Sequence, residues 1–265
     1  MRASKLFALL LGGAWTEQCL GLAVLPRLPI IVSAHRPGQC TRVQCKTGVG
    51  LAVGAWESFY DAKHLSGFGA DYRAVLDERT GRKVLQTMGY EEIYGEVEAS
   101  GLRRILDLIG PHISDRDEMW DLGSGVGKVV AQFSFETLAG SCNGLELGAR
   151  RHKAALNAHA ALVSAGHASA GRMHLINGDM LAAPCLWSDA SIIYINAVWG
   201  PNNPLFQAVE RILYNSCSRL RFLIVGGQEL GGPFLTPEWE RREIPCPITW
   251  QDDFQMLVYS RRGLL

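Results

Sequence analysis

The sequence predicts an α/β protein built on a mostly parallel, seven-stranded sheet with helices on both faces and an antiparallel C-terminal edge hairpin. Three observations carry this. Apolar runs of strand length alternate with helix-period stretches at βαβ spacing from about residue 116 onward. A glycine-rich turn, "DLGSGVGKVV" at 121–130, links the first such run to the first helix of the series. Two further strand-like runs, "REIPCPITW" and "FQMLVYS", lie close enough near the C-terminus to pair with each other.

The elements follow in order. "ILDLIG" before Pro111 closes a helical lead-in, set at residues 56–115, that precedes the sheet of 116–265. "MWDLG" (119–123) is the first strand and "KVVAQFSFETLA" (128–139) places its apolar residues on one helical face. "CNGLEL" (142–147) is the second strand, and the alanine-rich helix 149–166 ends at Gly166 as a cap. Strands three and four are "RMHLINGD" (172–179) and "ASIIYIN" (190–196). A helix at 203–215 and a fifth strand, "RFLIVGG" (221–227), lead to the terminal pair.

Composition sets the outer limits. At 265 residues, 48% hydrophobic and 20% charged, the chain suits one globular domain. Its 26 basic and 26 acidic side chains are unevenly spread: residues 1–56 hold six Lys/Arg and only Glu17, leaving 20 basic against 25 acidic beyond. A body of that sign is not built for tight nonspecific phosphate binding. The seven cysteines form no C-x-x-C pair, so neither a disulfide framework nor a metal site is expected.

Residues 1–55 read as a signal- or transit-like, or else unstructured, N-terminal segment. Arg2 and Lys5 precede an apolar run from Leu6 to Trp15 that is too short to span a bilayer. The stretch that follows is basic and almost free of acids, which suggests an organelle or secretory route.

Gly123, Gly125 and Gly127 sit in a strand-to-helix turn, where the missing Cβ permits positive φ and close approach of a ligand. A dinucleotide fingerprint would space its glycines G-x-G-x-x-G and leave the helix start to a pyrophosphate. Here the spacing is G-x-G-x-G, and Asp121 at the strand end would repel a pyrophosphate. It suits a ligand with cationic character, such as the amino group and sulfonium of S-adenosylmethionine. Glu146 ends the second strand, where a carboxylate can accept both ribose hydroxyls. Asp179 after the third strand can accept from the adenine amino group while Met180 packs on the ring. Acids at three successive strand ends point to S-adenosylmethionine. His152, His159 and His167 are expected at the solvent face rather than in catalysis.

With "YGEV" (94–97), "DLGSGVGKVV", "GLEL", "GDM" and "IYINAVWGP" on the page, the chain resembles the Dot-one family of non-SET histone-lysine methyltransferases over about residues 90–260. The resemblance implies a Rossmann-like class I methyltransferase fold and methyl transfer to a protein lysine, such as a histone lysine in a nucleosome, in the nucleus. It implies that Tyr94 and Glu96 come from a loop over the methionine end of the cofactor. Asp121, Gly123 and Gly125 would cradle that end, Glu146 would take the ribose, and Asp179 with Met180 the adenine. Asn196 would line the channel where the target nitrogen meets the methyl group, with walls from Tyr94 and Trp199. The family's paired asparagines and aromatics stand here as "NAVW", and its basic nucleosome-gripping region has no obvious counterpart. The open alternatives are a class I methyltransferase for another protein or a small molecule, and a silent cofactor-binding scaffold.

Overall fold

The computed structural model of the 265-residue chain describes residues 56–60, 96–196, 204–249 and 251–265. The N-terminal segment 1–55 and most of the expected helical lead-in therefore lie outside the described residues. Of that lead-in, a short 3-10 turn at Glu57–Tyr60 and helix α1 (Ala99–Ile109) are described. Leu102, Ile105, Leu106 and Ile109 recur at helical spacing along α1 and are all buried. Gly101 is the point of closest approach, because a Cβ there would stand 2.9 Å from Pro247 Cδ.

Seven strands form one sheet: β1 (Glu118–Leu122), β2 (Ser141–Glu146), β3 (Met173–Asn177), β4 (Ile192–Ile195), β5 (Phe222–Gly226), β6 (Trp239–Ile248) and β7 (Gln251–Arg261). Their order is β3-β2-β1-β4-β5-β7-β6. The first five run parallel, and β7 enters antiparallel to both β5 and β6. This is the Rossmann-like architecture of class I methyltransferases, with the antiparallel hairpin at the edge. Helices α2 (Lys128–Glu136), α3 (Ala149–Ser164) and α4 (Pro204–Ser216) complete the crossovers.

Two cores flank the sheet. Met119, Ile192, Ile224 and Met256 face α1, α2 and α3, whereas Trp120, Ile193, Val225 and Leu257 face α4 and the loop bearing Trp187. Covered on both sides, β4 and β5 are apolar without alternation and buried along their length. Order reverses between β1 and β4, and in such sheets the crevice beyond the strands' carboxyl ends is where ligands sit.

The element bounds differ from the sequence expectation in two instructive places. Helix α2 stops at Glu136 because Thr137 turns to extended backbone and its hydroxyl donates to the Phe133 carbonyl at 2.6 Å. Strand β6 begins at Trp239, since Glu240–Glu243 pair along β7 in spite of their charge. Gly166 does cap α3, at φ 80°. Among the described residues no helix is long and apolar enough to cross a membrane, and no cluster of metal-ligating side chains occurs. Cys142, Cys185, Cys217 and Cys246 are free thiols.

Candidate functional site

The turn after β1 is built by three glycines in the left-handed region, Gly123 at φ 94°, Gly125 at 55° and Gly127 at 85°. Four of its amides are consumed within the fold. The Gly123 and Ser124 N–H groups both donate to the Leu145 carbonyl, at 2.8 and 3.1 Å. Gly127 donates to Ser124, and Gly125 donates to Glu146 Oε2 at 2.7 Å. On β2, Gly144 leaves the space Ser124 needs, because a Cβ there would lie 2.8 Å from its Oγ.

Glu146 is 3% exposed, yet its carboxylate is well provided with donors. Besides Gly125, Oε1 accepts from the Gly148 amide at 2.6 Å and from Arg151 Nε at 3.0 Å. Asp121 is the opposite case. It is 2% exposed, and no donor among the described residues reaches its carboxylate. Burial, and then the negative charge of Glu146, push its carboxyl well above the ordinary range.

Asp121 pairs with Tyr194 in the β1–β4 register, so the two side chains stand together on the face shared with Asn196. The Tyr194 hydroxyl and Asn196 Oδ1 are both buried with no hydrogen-bond partner among the described residues. An orphaned buried polar atom costs about 1–3 kcal/mol, which a ligand able to bond it would return. Asn196 lies against Gly226, where a Cβ would collide with Oδ1.

These groups share a cleft of about 350 Å³, counted to its open mouth, whose lining includes Glu96, Asp121, Gly123, Gly125, Lys128, Tyr194 and Asn196. A second cleft, of about 660 Å³ on the same measure and lined by Trp56, Tyr60, Glu98 and Gln132, meets it at Glu96 and Lys128. Lys128 Nζ pairs with the Glu96 carboxylate at this junction.

Of the residues singled out in the sequence, Glu96, Asp121, Gly123, Gly125 and Asn196 line the first cleft. Gly127 and Glu146 support its floor from outside the lining, as the bonds above describe. Asp179 sits beyond β3 with Oδ1 accepting from the Leu181 amide at 2.8 Å. Met180 comes over the turn, its methyl 4.0 Å from where a Gly123 Cβ would stand. Tyr94 and Trp199 lie outside the described residues.

The three histidines expected at the solvent face are each half-buried instead. His159 bonds the Ala170 carbonyl at 2.9 Å, and His167 packs its ring against Phe59 and Phe135. None lines the cleft. Lys128 and Tyr194 are among the lining residues that sequence reasoning did not single out. Lys128 could have been found as the first helical residue after the glycine turn. Tyr194 could have been found as the residue two before Asn196, on the same strand face.

Comparison with known proteins adds three findings. A family model described as "Histone methylation protein DOT1" matches residues 80–219, just over half of the chain. No curated protein matches it. Among solved structures, similarity extends to an RNA methyltransferase from Salinibacter ruber in complex with S-adenosyl-L-homocysteine, at 18% identity and TM-score 0.45, over 63% of this chain and 94% of that one. It extends also to the putative methyltransferase yhhF from Escherichia coli, at 14% identity and TM-score 0.45, over 61% of this chain and 84% of that one. M. capricolum TrmK in complex with S-adenosyl-homocysteine matches at 12% identity and TM-score 0.42, over 60% of this chain and 68% of that one.

Proposed function

We propose, from the premise that this chain belongs to the DOT1 family of histone methylation proteins, S-adenosylmethionine-dependent methyltransferases, that it transfers a methyl group to a protein lysine. The observation that carries this reading is the buried carboxyl of Asp121. It stands at the end of β1 beside two unpartnered polar atoms, a setting that suits a ligand bringing N–H donors and positive charge. A pyrophosphate would find neither. The Gly123, Ser124, Gly125 and Gly127 amides already donate inside the fold, and the acid would repel it.

In this reading Asp121 holds the amino group of the methionine end, and the Gly123 and Gly125 backbone lies against it. Gly127 sets the start of α2, and Glu96 flanks the mouth with Tyr94. A carboxylate has about four acceptor sites. Three on Glu146 are taken, which leaves one for a ribose hydroxyl and requires Arg151 to withdraw for the second. Asp179 and Met180 would take the adenine.

Bound there, S-adenosylmethionine supplies a methyl group on a sulfonium. The chain's own task is to present a neutral amine in line with it. With a lysine pKa of about 10.4, deprotonation at pH 7 costs about 4.6 kcal/mol. A narrow, dry channel lowers that cost by disfavouring the ammonium. No general base is required, and the Asn196 amide oxygen would orient the amine by accepting one of its hydrogens. Trp199 and Tyr94 would supply the walls.

A second reading keeps the chemistry and changes the acceptor. Beyond residue 56 the chain carries 20 basic against 25 acidic side chains, which favours an acceptor outside the nucleosome.

The test is methyl transfer from radiolabelled S-adenosylmethionine by the full chain, with nucleosomes, free histones and a whole-cell protein extract offered side by side. Label on a nucleosomal histone lysine supports the first reading, and label only in the extract supports the second. No label anywhere, with cofactor still bound, would leave a silent scaffold.

A further inference from the structure

We propose that the Tyr194 hydroxyl is a further cofactor-binding group, accepting a hydrogen bond from the ammonium end of S-adenosylmethionine beside Asp121. The inference rests on the cofactor reading above and extends it to a residue to which the sequence reading gave no role.

Strand β4 is otherwise apolar on both faces: Ile192, Ile193 and Ile195 pack into the two cores. Tyr194 is equally buried, at 1% exposure, and its ring joins the core that also holds Ile224 and Cys246. For packing alone, phenylalanine would serve. The added hydroxyl is desolvated and meets no partner among the described residues. It nevertheless lines the cleft together with Asp121 and Asn196.

Register explains why these groups converge. Asp121 and Tyr194 are direct partners in the parallel ladder at the point where strand order reverses. The ionisable groups around the phenol are Asp121 on β1, Cys246 on β6, and Glu96 and Lys128 at the cleft. Burial, followed by the neighbouring Asp121 carboxyl and Cys246 thiol, raises the phenol well above its ordinary range, so its oxygen both donates and accepts. An α-ammonium carries three N–H donors directed apart. The carboxylate of Asp121, approaching from one strand, leaves one of them for an acceptor on the adjoining strand.

The experiment is calorimetric binding of two ligands to the full chain and to its Tyr194→Phe variant. S-adenosylhomocysteine carries the amino-acid end, whereas 5′-methylthioadenosine lacks it. The variant is expected to bind S-adenosylhomocysteine about tenfold more weakly and methylthioadenosine unchanged. Its denaturation midpoint should be equal or higher, because an orphaned hydroxyl has been removed from the core. A merely structural tyrosine would give a lowered midpoint, or an equal weakening of both ligands, and either result overturns the proposal. So does unchanged affinity for S-adenosylhomocysteine. If the unaltered chain binds neither ligand, the cofactor reading itself fails, and the two failures are told apart by that control.

Discussion

Glu146 Oε2 accepts the Gly125 amide hydrogen at 2.7 Å, so the acid that ends the second strand also fastens the glycine turn that follows the first. Its other oxygen meets Gly148 and Arg151. Glu146→Gln keeps the shape but presents an amide where a charged acceptor stood, and removes the carboxylate that faces Arg151 Nε. The expected cost is about 2–4 kcal/mol, read as a lower urea midpoint, together with weaker S-adenosylmethionine binding. An unaltered midpoint would show that the turn holds itself.

Asp121→Asn should have the opposite effect on stability. In the fold the carboxyl is raised above its ordinary value by burial and by Glu146. Between the unfolded value, about 4, and that raised value, the native state binds the proton more tightly than the unfolded chain. Stability therefore falls as pH rises through this window. The asparagine variant carries no such charge, so its urea midpoint should exceed the parent's at neutral pH and show less pH dependence. Affinity for S-adenosylmethionine should drop by about 30–100-fold.

Cofactor binding should also be linked to a proton. A cationic group placed beside Asp121 favours its ionised form, so binding expels the carboxyl proton. Affinity should rise with pH until Asp121 is ionised in the free protein. Calorimetry in two buffers of different ionisation enthalpy measures the released proton directly, and the Asp121→Asn variant should release none from this position.

Gly226→Ala tests the channel through Asn196 without altering a residue that itself lines the cleft. The new methyl would collide with Asn196 Oδ1 and lie 3.2 Å from Phe254 Cε1. Displacing Asn196 should cut turnover at least about tenfold, at a stability cost of about 1–3 kcal/mol, with cofactor affinity retained. Asn196→Ala should show the same separation of binding from rate. An enzyme as fast as the parent would remove Asn196 from the channel.

What the sequence disclosed follows how local each signal is. Gly123, Gly125 and Gly127 announce left-handed backbone because only glycine adopts it freely, and all three do so. Asp121 was legible because the turn fixes where the strand must end. The partners of Glu146 were not, since the Gly125 amide is 21 residues away and reaches it only through the β1–β2 pairing. Tyr194 was hidden for a different reason. In a strand covered on both faces, apolar residues fill every position, and no alternation singles out the face that reaches the cleft. The early start of β6 was obscured by Glu240 and Arg241, whose charges suit an outer strand but resemble a loop.

Strand order also constrains how the molecule is made. The last strand in the chain, β7, occupies an interior place in the sheet between β5 and β6. As the polypeptide leaves the ribosome, β5 and β6 are both complete before the segment that must lie between them has emerged. β6 then has only its isolated bridge from Ile248 to Val97, and the open flank of β5 is a transient hazard for association with other nascent chains. Truncation within Gln251–Arg261 would remove the joint between the parallel body and its outermost strand. A chaperone that shields the emerging β5 flank would therefore raise the yield of this protein.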